Sequence, residues 1–398
     1  MTLDASEASP SRSRSEPRRE RSEPQPRAPA GPSRSRSAIS TALRHATARL
    51  PDLLAPGHRL VVAYSGGQDS TCLLHALAAR GLDLVAVHVD HGLRPESADQ
   101  AAQAAQIASG FGVRCEVRRV DVASYRARTG WGIQQAARAA RYQVLSTVVA
   151  QVGAQALLVG HTADDQAETV LLNLLRGTGL SGLAGMRLDE WIEPGQFGPP
   201  IVEDQMLPPL VRVARPLLRV ARETTLAYCE ELGLPRVEDP SNQSAAYTRN
   251  RVRLELLPIL ERFNPAVRTV LARTADLAAE DDQALDDLAR SLFGALARRV
   301  DADTLEIDLA EWWPRARAVQ RRLLRLGLAT LLGGLVDVPS SPIEDALDLL
   351  QSTSGERAYH LPGGVELVTA GSHFVLRLHG RAKPPRQPKR WGIAPPRV

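Results

Sequence analysis

Ser65, Gly66, Gly67, Gln68, Asp69 and Ser70 are the residues around which chemistry can be built in this chain. Two glycines flanked by hydroxyls let a turn point its backbone N–H groups at one spot. If a helix begins there, the positive end of its dipole adds to the effect, and the spot suits a phosphate. The usual nucleotide loop needs a lysine after its second glycine; here Gln68 and Asp69 follow Gly67, so phosphate is held by a different set of groups. An aspartate beside several phosphates needs a partner cation, which makes Asp69 a candidate Mg²⁺ ligand.

Three further groups have chemistry-bearing residues at telling places. Asp90, His91, Gly92, Leu93 and Arg94 close an apolar run, as do Gly160, His161, Thr162, Ala163, Asp164 and Asp165. Thr162 and Asp165 have the spacing of a helix capping box, and acids suit a helix N-terminus. That reading leaves the preceding Gly-His and the doubled acid unexplained. Two such carboxylates, Asp164 and Asp165, also suit Mg²⁺ or a cationic amine. Arg138, Arg141 and Tyr142 lie on one helical stretch. Tyr247, Arg249, Asn250, Arg251 and Arg253 form a basic cluster that fits a phosphate contact or a solvated helix face equally well.

The elements that must position these groups are legible from apolar spacing. Leu60–Ala63 reads as a buried strand, and Leu73, Leu74, Leu77 and Ala78 fall at helical spacing after the glycine turn. Strands are expected at 84–89, 113–120 and 156–160, with helices over 38–50, 97–108, 131–152 and 164–176. Alternation of this kind gives βαβ units and a parallel sheet, whose ligands sit at the carboxyl ends of the strands. The turns at Ser65, Asp90 and Gly160 each follow a strand, so one cleft collects all three. Gly177–Gly185 contains a formal G-x-G-x-x-G, but it follows a helix and fails as a dinucleotide fingerprint. It is expected to be a flexible, close-approach loop, and residues 189–210 an inserted surface loop.

The six residues SGGQDS resemble the pyrophosphate loop of the ATP pyrophosphatases. Together with HVDHGLR, ARAARY, GHTADDQAETVLLNLLRGTGLSGLAGM, RPLLR and EDPSNQSAAYTRNRVR, in order and spacing, they resemble the tRNA(Ile)-lysidine synthetases over about residues 60–258. The resemblance implies an α/β fold: a parallel-sheet adenine nucleotide alpha hydrolase-like (PP-loop) domain, a mainly helical domain and a small α+β C-terminal region. It implies ATP and Mg²⁺ as cofactors, and as substrates an isoleucine tRNA with a CAU anticodon and free lysine. The wobble cytidine would be adenylated at C2 and then joined to the lysine ε-amine. On the matching positions, Ser65, Gly66, Gly67, Gln68, Asp69, Ser70 and His91 would bind the nucleotide. Asp69 and Asp164 would hold the metal. Asp69, Arg138, Arg141, His161 and Asp165 would carry catalysis, the arginines neutralising developing charge and His161 and Asp165 positioning lysine.

Composition sets the remaining bounds. The chain of 398 residues has 43% hydrophobic content, ample for real cores, and apolar runs far short of the ~18 residues of a membrane span. The formal charge of +4 resolves into +3 from residues 1–37 (eight Arg, five acids), +6 from residues 381–398, and 4 − 3 − 6 = −5 for the body between. Residues 1–37, rich in Ser, Pro and Arg, are expected to be a disordered arm that solubilises rather than binds RNA. A catalytic domain is expected over 38–260, a helical and α+β tRNA-binding region over 261–380, and a basic tail over 381–398. Helices are expected over 265–298, 314–332 and 342–351, with a β-hairpin around Gly363–Gly364. Arg315, Arg317, Arg321, Arg322 and Arg325 form either a solvated helix face or a phosphate track. Three distant cysteines (Cys72, Cys115, Cys229) point to a reducing, cytoplasmic setting without a C-x-x-C cluster site. The assembly stays open, a homodimer included. Two rivals remain: a cluster-free tRNA thiolase using Cys72 and Cys115, and a non-catalytic RNA-binding protein on a relic nucleotide fold. Glutamine-dependent synthetases of the same superfamily need a glutaminase nucleophile at an N-terminal cysteine, which is lacking here.

Overall fold

A computed structural model describes residues 33–55, 57–93, 95–202, 206–237, 248–334, 338–351 and 357–379. The arm up to residue 32, Arg94, Glu238–Asn242, Tyr247 and the tail from 381 lie outside them. The chain runs α1 (Arg34–Arg49), β1 (Arg59–Ala63), α2 (Gln68–Ala78), β2 (Asp83–Asp90), α3 (Ser97–Gly110), β3 (Arg114–Arg119), α4 (Val122–Thr129), α5 (Ile133–Gln151) and β4 (Ala156–Val159). It continues through α6 (Ala163–Leu175), α7 (Leu180–Leu183), β5 (Asp189–Ile192), a 3₁₀ turn (Pro194–Phe197), β6 (Val211–Ala214), α8 (Arg222–Glu231), α9 (Thr248–Arg251), a π-turn (Val252–Leu256) and α10 (Leu257–Phe263). The remaining elements are α11 (Val267–Leu296), β7 (Ala297–Arg299), β8 (Thr304–Asp308), α12 (Leu309–Trp312), α13 (Arg317–Leu332), α14 (Ser340–Gln351), β9 (Ala358–Leu361), β10 (Val365–Ala370) and β11 (His373–Leu378).

The first sheet has the order β3-β2-β1-β4-β6-β5, parallel except for β5, which pairs antiparallel with β6. Its central strands are apolar on both faces because helices cover both. Leu60, Val62, Ala86, Leu158 and Ala214 face a core shared with α1, α2, α3 and α8. Val61, Val85, Val87, Leu157 and Val213 face α5. The second sheet, β7-β8-β11-β10-β9, is antiparallel and packs on α13 and α14 through Trp312, Leu324, Ile343 and Phe374. The long helix α11 runs between the two sheets, touching α6 and α7 on one side and α13 on the other. No helix among the described residues is long and apolar enough to cross a membrane.

The α/β class with a separate C-terminal sheet is as expected, and several local expectations are corrected. The first helix begins at Arg34, four residues early, because Ser33 caps it and Ser35 bonds Glu231 of α8. Gly177–Gly185 is not a flexible loop: it contains α7, fastened by Asn173 donating to Gly182 O (2.8 Å) and Gln166 to Met186 O (2.9 Å). The first part of the expected surface insertion is β5 and the 3₁₀ turn. The Gly363–Gly364 hairpin exists, but as two strands of a five-stranded sheet. Pro314 precedes α13 rather than opening it.

Four of the five arginines expected along or just before α13 are ion-paired within the chain. Arg315 pairs with Glu311, Arg317 with Glu344 and Asp348, Arg321 with Glu344, and Arg322 with Asp282 and Asp286. The helix spends these charges on its neighbours α14 and α11.

Candidate active site

β1 ends at Ala63 and α2 starts at Gln68, so Ser65–Gly67 must turn within three residues at the carboxyl edge of the sheet. Gly66 has φ +80°, and a Cβ there would lie 2.7 Å from Val237 Cγ2, so only glycine fits. Val237 N–H in turn donates to Gly66 O (2.8 Å). The two serine hydroxyls meet at 3.1 Å, and Ser65 Oγ accepts from Gly67 N–H (3.3 Å). The loop is preformed, with two hydroxyls and a helix N-terminus facing one place.

Asp69 is the acid of that first turn and is mostly buried, its side chain 14% exposed. It accepts from Thr225 Oγ1 and stands 3.3 Å from the Arg222 guanidinium. Burial outweighs both and pushes its carboxyl up to about 6. Gln68, expected among the nucleotide contacts, turns its amide onto α8, donating to Arg222 O (3.0 Å) and Thr225 Oγ1 (3.3 Å).

β4 delivers the second group. Gly160 has no Cβ because one would meet Asp69 O at 3.0 Å, so the end of β4 lies directly against the start of α2. His161 follows, half-buried, with Arg215 Nε donating to its Nδ1 (3.2 Å). The ring is therefore the neutral tautomer with its proton on Nε2, and it presents a donor. Burial holds its pKa down at about 3, and Arg215, Arg249 and Arg141 act in the same direction. Arg215 is itself 2% exposed and fixed by Arg187 O (2.8 Å) and Glu190 Oε1 (2.5 Å).

The capping box is real: Asp165 Oδ2 accepts from Thr162 N–H and Oγ1–H, both 2.9 Å. Its other oxygen faces Arg249 (3.3 Å) and Arg253 (3.6 Å). Burial would raise this carboxyl, but Arg249 and the Thr162 bonds outweigh it and hold it below the usual range. Cap and charge partner are thus the same residue. Asp164 points the other way: Arg222 N–H and Arg268 Nη1 donate to its two oxygens, each at 2.8 Å. A cation at Asp164 would have to displace both. Asp69, the other candidate for Mg²⁺, likewise has Thr225 on one oxygen and Arg222 near the second, but it stands in the first turn after the glycine loop, and a lone carboxylate suits an ion otherwise held by phosphates and water. Among the described residues no group of three or more possible ligands stands together.

Arg141 is exposed to solvent and stands near His161, which it helps keep neutral. Arg138, one turn back, is exposed and lies over the Tyr142 ring at 4.9 Å. His91 follows β2 at the same sheet edge, where Asp90 Oδ1 accepts from Gly92 N–H (2.8 Å) and fixes the turn.

Sequence reasoning missed Glu168, 0% exposed and paired with Arg249 Nε (2.8 Å) and Arg253 Nε (2.5 Å). It lies one turn after Asp165 on the same face of α6, and Arg249 and Arg253 are also one turn apart. Those two matching spacings were the available signal. Arg215, Arg222 and Thr225 were missed as partners because only the packing of β6 and α8 brings them in.

Residues 38–260 match the model of the PP-loop domain family. The chain is 43% identical over 339 residues to a tRNA(Ile)-lysidine synthase of Salinispora tropica, covering 83% of this chain and 93% of that protein. A protein of the same name from Dehalococcoides mccartyi is 37% identical over 330 residues, covering 81% and 67%. A third, from Leifsonia xyli subsp. xyli, is 37% identical over 340 residues, covering 84% and 94%.

Proposed function

The chain belongs to the PP-loop family and, within it, to the tRNA(Ile)-lysidine synthases, and from that premise we propose how its own residues perform an ATP-dependent ligation on tRNA. The substrates we propose are ATP, an isoleucine tRNA with a CAU anticodon, and free lysine. In the first step the C2 oxygen of the wobble cytidine attacks the α-phosphorus, the bond to the β-phosphate oxygen breaks, and pyrophosphate leaves. In the second the lysine ε-ammonium first gives one proton to solvent, the free amine attacks C2, the C2–O bond breaks, AMP leaves, and a second N–H proton is lost to solvent.

The observation that carries this reading is the convergence of β1 and β4. The hydroxyl–glycine loop, Asp69, His161 and the Asp165–Arg249–Glu168–Arg253 cluster gather at one edge of the sheet. The N–H groups of Gly66 and Gly67 with Ser65 and Ser70 hold phosphate, with His91 on the adjoining strand turn. Asp69 would hold Mg²⁺, which supplies charge neutralisation on the phosphates when bound. Arg141 and Arg249 stabilise negative charge that grows during phosphoryl transfer. His161, with its proton fixed on Nε2, donates to an oxygen and does not accept the amine proton; Asp165, kept ionised, attracts the ammonium group of lysine. Here the histidine acquires a narrower role than its position alone suggested. The thiolase reading is disfavoured by burial, which pushes the Cys72 thiol far up and Cys115 and Cys229 up to about 11, the opposite of an activated thiolate.

The test is incubation with ATP, Mg²⁺, labelled lysine and the CAU-anticodon tRNA. Stable label in the RNA that requires ATP is the expected result. Pyrophosphate release without label would remove lysine as the second substrate.

A further inference from the structure

The amino-terminal half of α5 carries a second concavity that the chemistry above does not use. Trp131, Gln135, Arg138 and Ala139 line it from the helix side, and Gln196, Phe197 and Gly198 from the segment after β5, enclosing about 200 Å³. α5 runs against the strands: its carboxyl end meets the start of β1, where Val152 O accepts from Arg59. The pocket is therefore at the carboxyl edge of the sheet, as the phosphate loop is. It lies on the opposite face from α2. Arg138 forms its wall, and Arg141, one turn on, lies beside His161.

The wall is built to keep its shape. Gln143, 1% exposed, donates to Gly198 O and Pro199 O (both 3.0 Å) and accepts from Ile201 N–H (3.0 Å). Tyr125 donates to Pro199 O (2.7 Å) and Arg128 to Pro200 O (2.6 Å). Gly198 has φ +130°, and a Cβ there would strike the Trp131 ring at 2.2 Å, so the indole lies directly on the loop backbone. Phe197 is stacked on Tyr142 at 4.6 Å, with the Arg138 guanidinium over the same tyrosine. An exposed segment held by a buried glutamine and two further side chains costs nothing to order when a ligand arrives.

We propose that this pocket receives an unpaired base of the tRNA anticodon loop, a neighbour of the one that reacts. The inference rests on the tRNA-modifying reading above. Flat aromatic rings and a guanidinium plane are what proteins use to stack splayed-out RNA bases, and carboxamides such as Gln135 and Gln196 can both donate to and accept from base edges. A phosphate would call for more positive charge than one arginine, and a wholly apolar guest would desolvate the amides. Seating a neighbouring base here would pull the loop open and leave the wobble cytidine unstacked at the edge where His161 and Arg141 stand.

The test uses the full chain and anticodon stem-loop RNAs, intact or with one abasic nucleotide placed at each loop position in turn. Affinities are measured for the wild type, Trp131→Ala and the pair Gln135→Ala/Gln196→Ala, with ATP affinity and circular dichroism alongside. Trp131→Ala should weaken intact RNA on the order of tenfold, and the glutamine pair severalfold, with ATP affinity unchanged. At one loop position the abasic RNA should bind the wild type as weakly as Trp131→Ala binds intact RNA, with no further loss on combining the two. Wild-type affinity in a folded Trp131→Ala protein, or loss confined to ATP, would overturn the proposal. If Trp131→Ala does not fold, the glutamine pair decides in the same way. Lysine incorporation by the wild type, run in parallel, separates the two levels. Label with unaltered variant affinities defeats the pocket alone, and no label at all defeats the reading beneath it.

Discussion

Replacing Asp69 by asparagine should make the protein more stable and catalytically dead. Burial pushes the Asp69 carboxyl in the folded chain up from an ordinary 3.8 to about 6. At 1.36 kcal/mol per unit, keeping it ionised at neutral pH costs the fold up to about 3 kcal/mol. Asparagine stands in for the neutral acid and keeps an oxygen for the Thr225 hydroxyl; the lost Arg222 pair is already contained in that figure, which is an upper bound. The net gain expected at pH 7.5 is therefore about 2 kcal/mol, or a melting temperature several degrees higher. The sign with pH follows from the direction of the shift. Below the unfolded value of 3.8 both states are protonated and the penalty vanishes; it grows as pH rises and is complete above about 6. Thermal melts of wild type and Asp69→Asn at pH 4 and pH 7.5 should thus differ little at the lower pH and clearly at the higher. Pyrophosphate release with tRNA and ATP should be abolished in the variant. A variant less stable than wild type at pH 7.5, or a gain that does not change with pH, would refute the claim that this carboxylate is held ionised against its surroundings for function.

Glu168→Gln should be severely destabilising, by about 3–5 kcal/mol in denaturant titration, because it strands Arg249 and Arg253 around a side chain with no solvent exposure; a loss under 1 kcal/mol would show those guanidiniums find other partners. Asp282 accepts from Ser181 (2.8 Å), Arg187 (2.7 Å) and Arg322 (2.7 Å), so Asp282→Ala should loosen the hold of α11 on both α7 and α13. A double-mutant cycle with Arg322→Ala should return a coupling of about 1–3 kcal/mol, and additivity would remove the connection. Cys72→Ala combined with Cys115→Ser should retain ATP-dependent tRNA modification within a few-fold, and wild-type thiols should alkylate slowly at pH 7. Loss of activity in a folded double variant would revive sulfur transfer.

The strand–turn–helix units and their order can be read from the chain alone. Backbone preferences and apolar period act over a few residues, so Leu60–Ala63, the Gly66–Gly67 turn and the capping box of Thr162 and Asp165 were all legible locally. Family membership followed from the same short blocks. Tertiary structure alone decided which charges meet. Asp164 and Asp165 are adjacent in the chain, yet one is spent on Arg268 and the α8 backbone while the other faces Arg249, because successive helical residues point about 100° apart. The arginines along α13 read equally as a track for RNA or a solvated face, and three of them, Arg317, Arg321 and Arg322, are paired with carboxylates that α14 and α11 supply. Glu168 looked like any helix acid until α9 and the π-turn brought two arginines onto it from 80 residues away. The tautomer of His161 hangs on Arg215, 54 residues on, reached through β6. An ion's partner is fixed by distance in space, and chain-local signals carry no record of that distance until the sheet has closed.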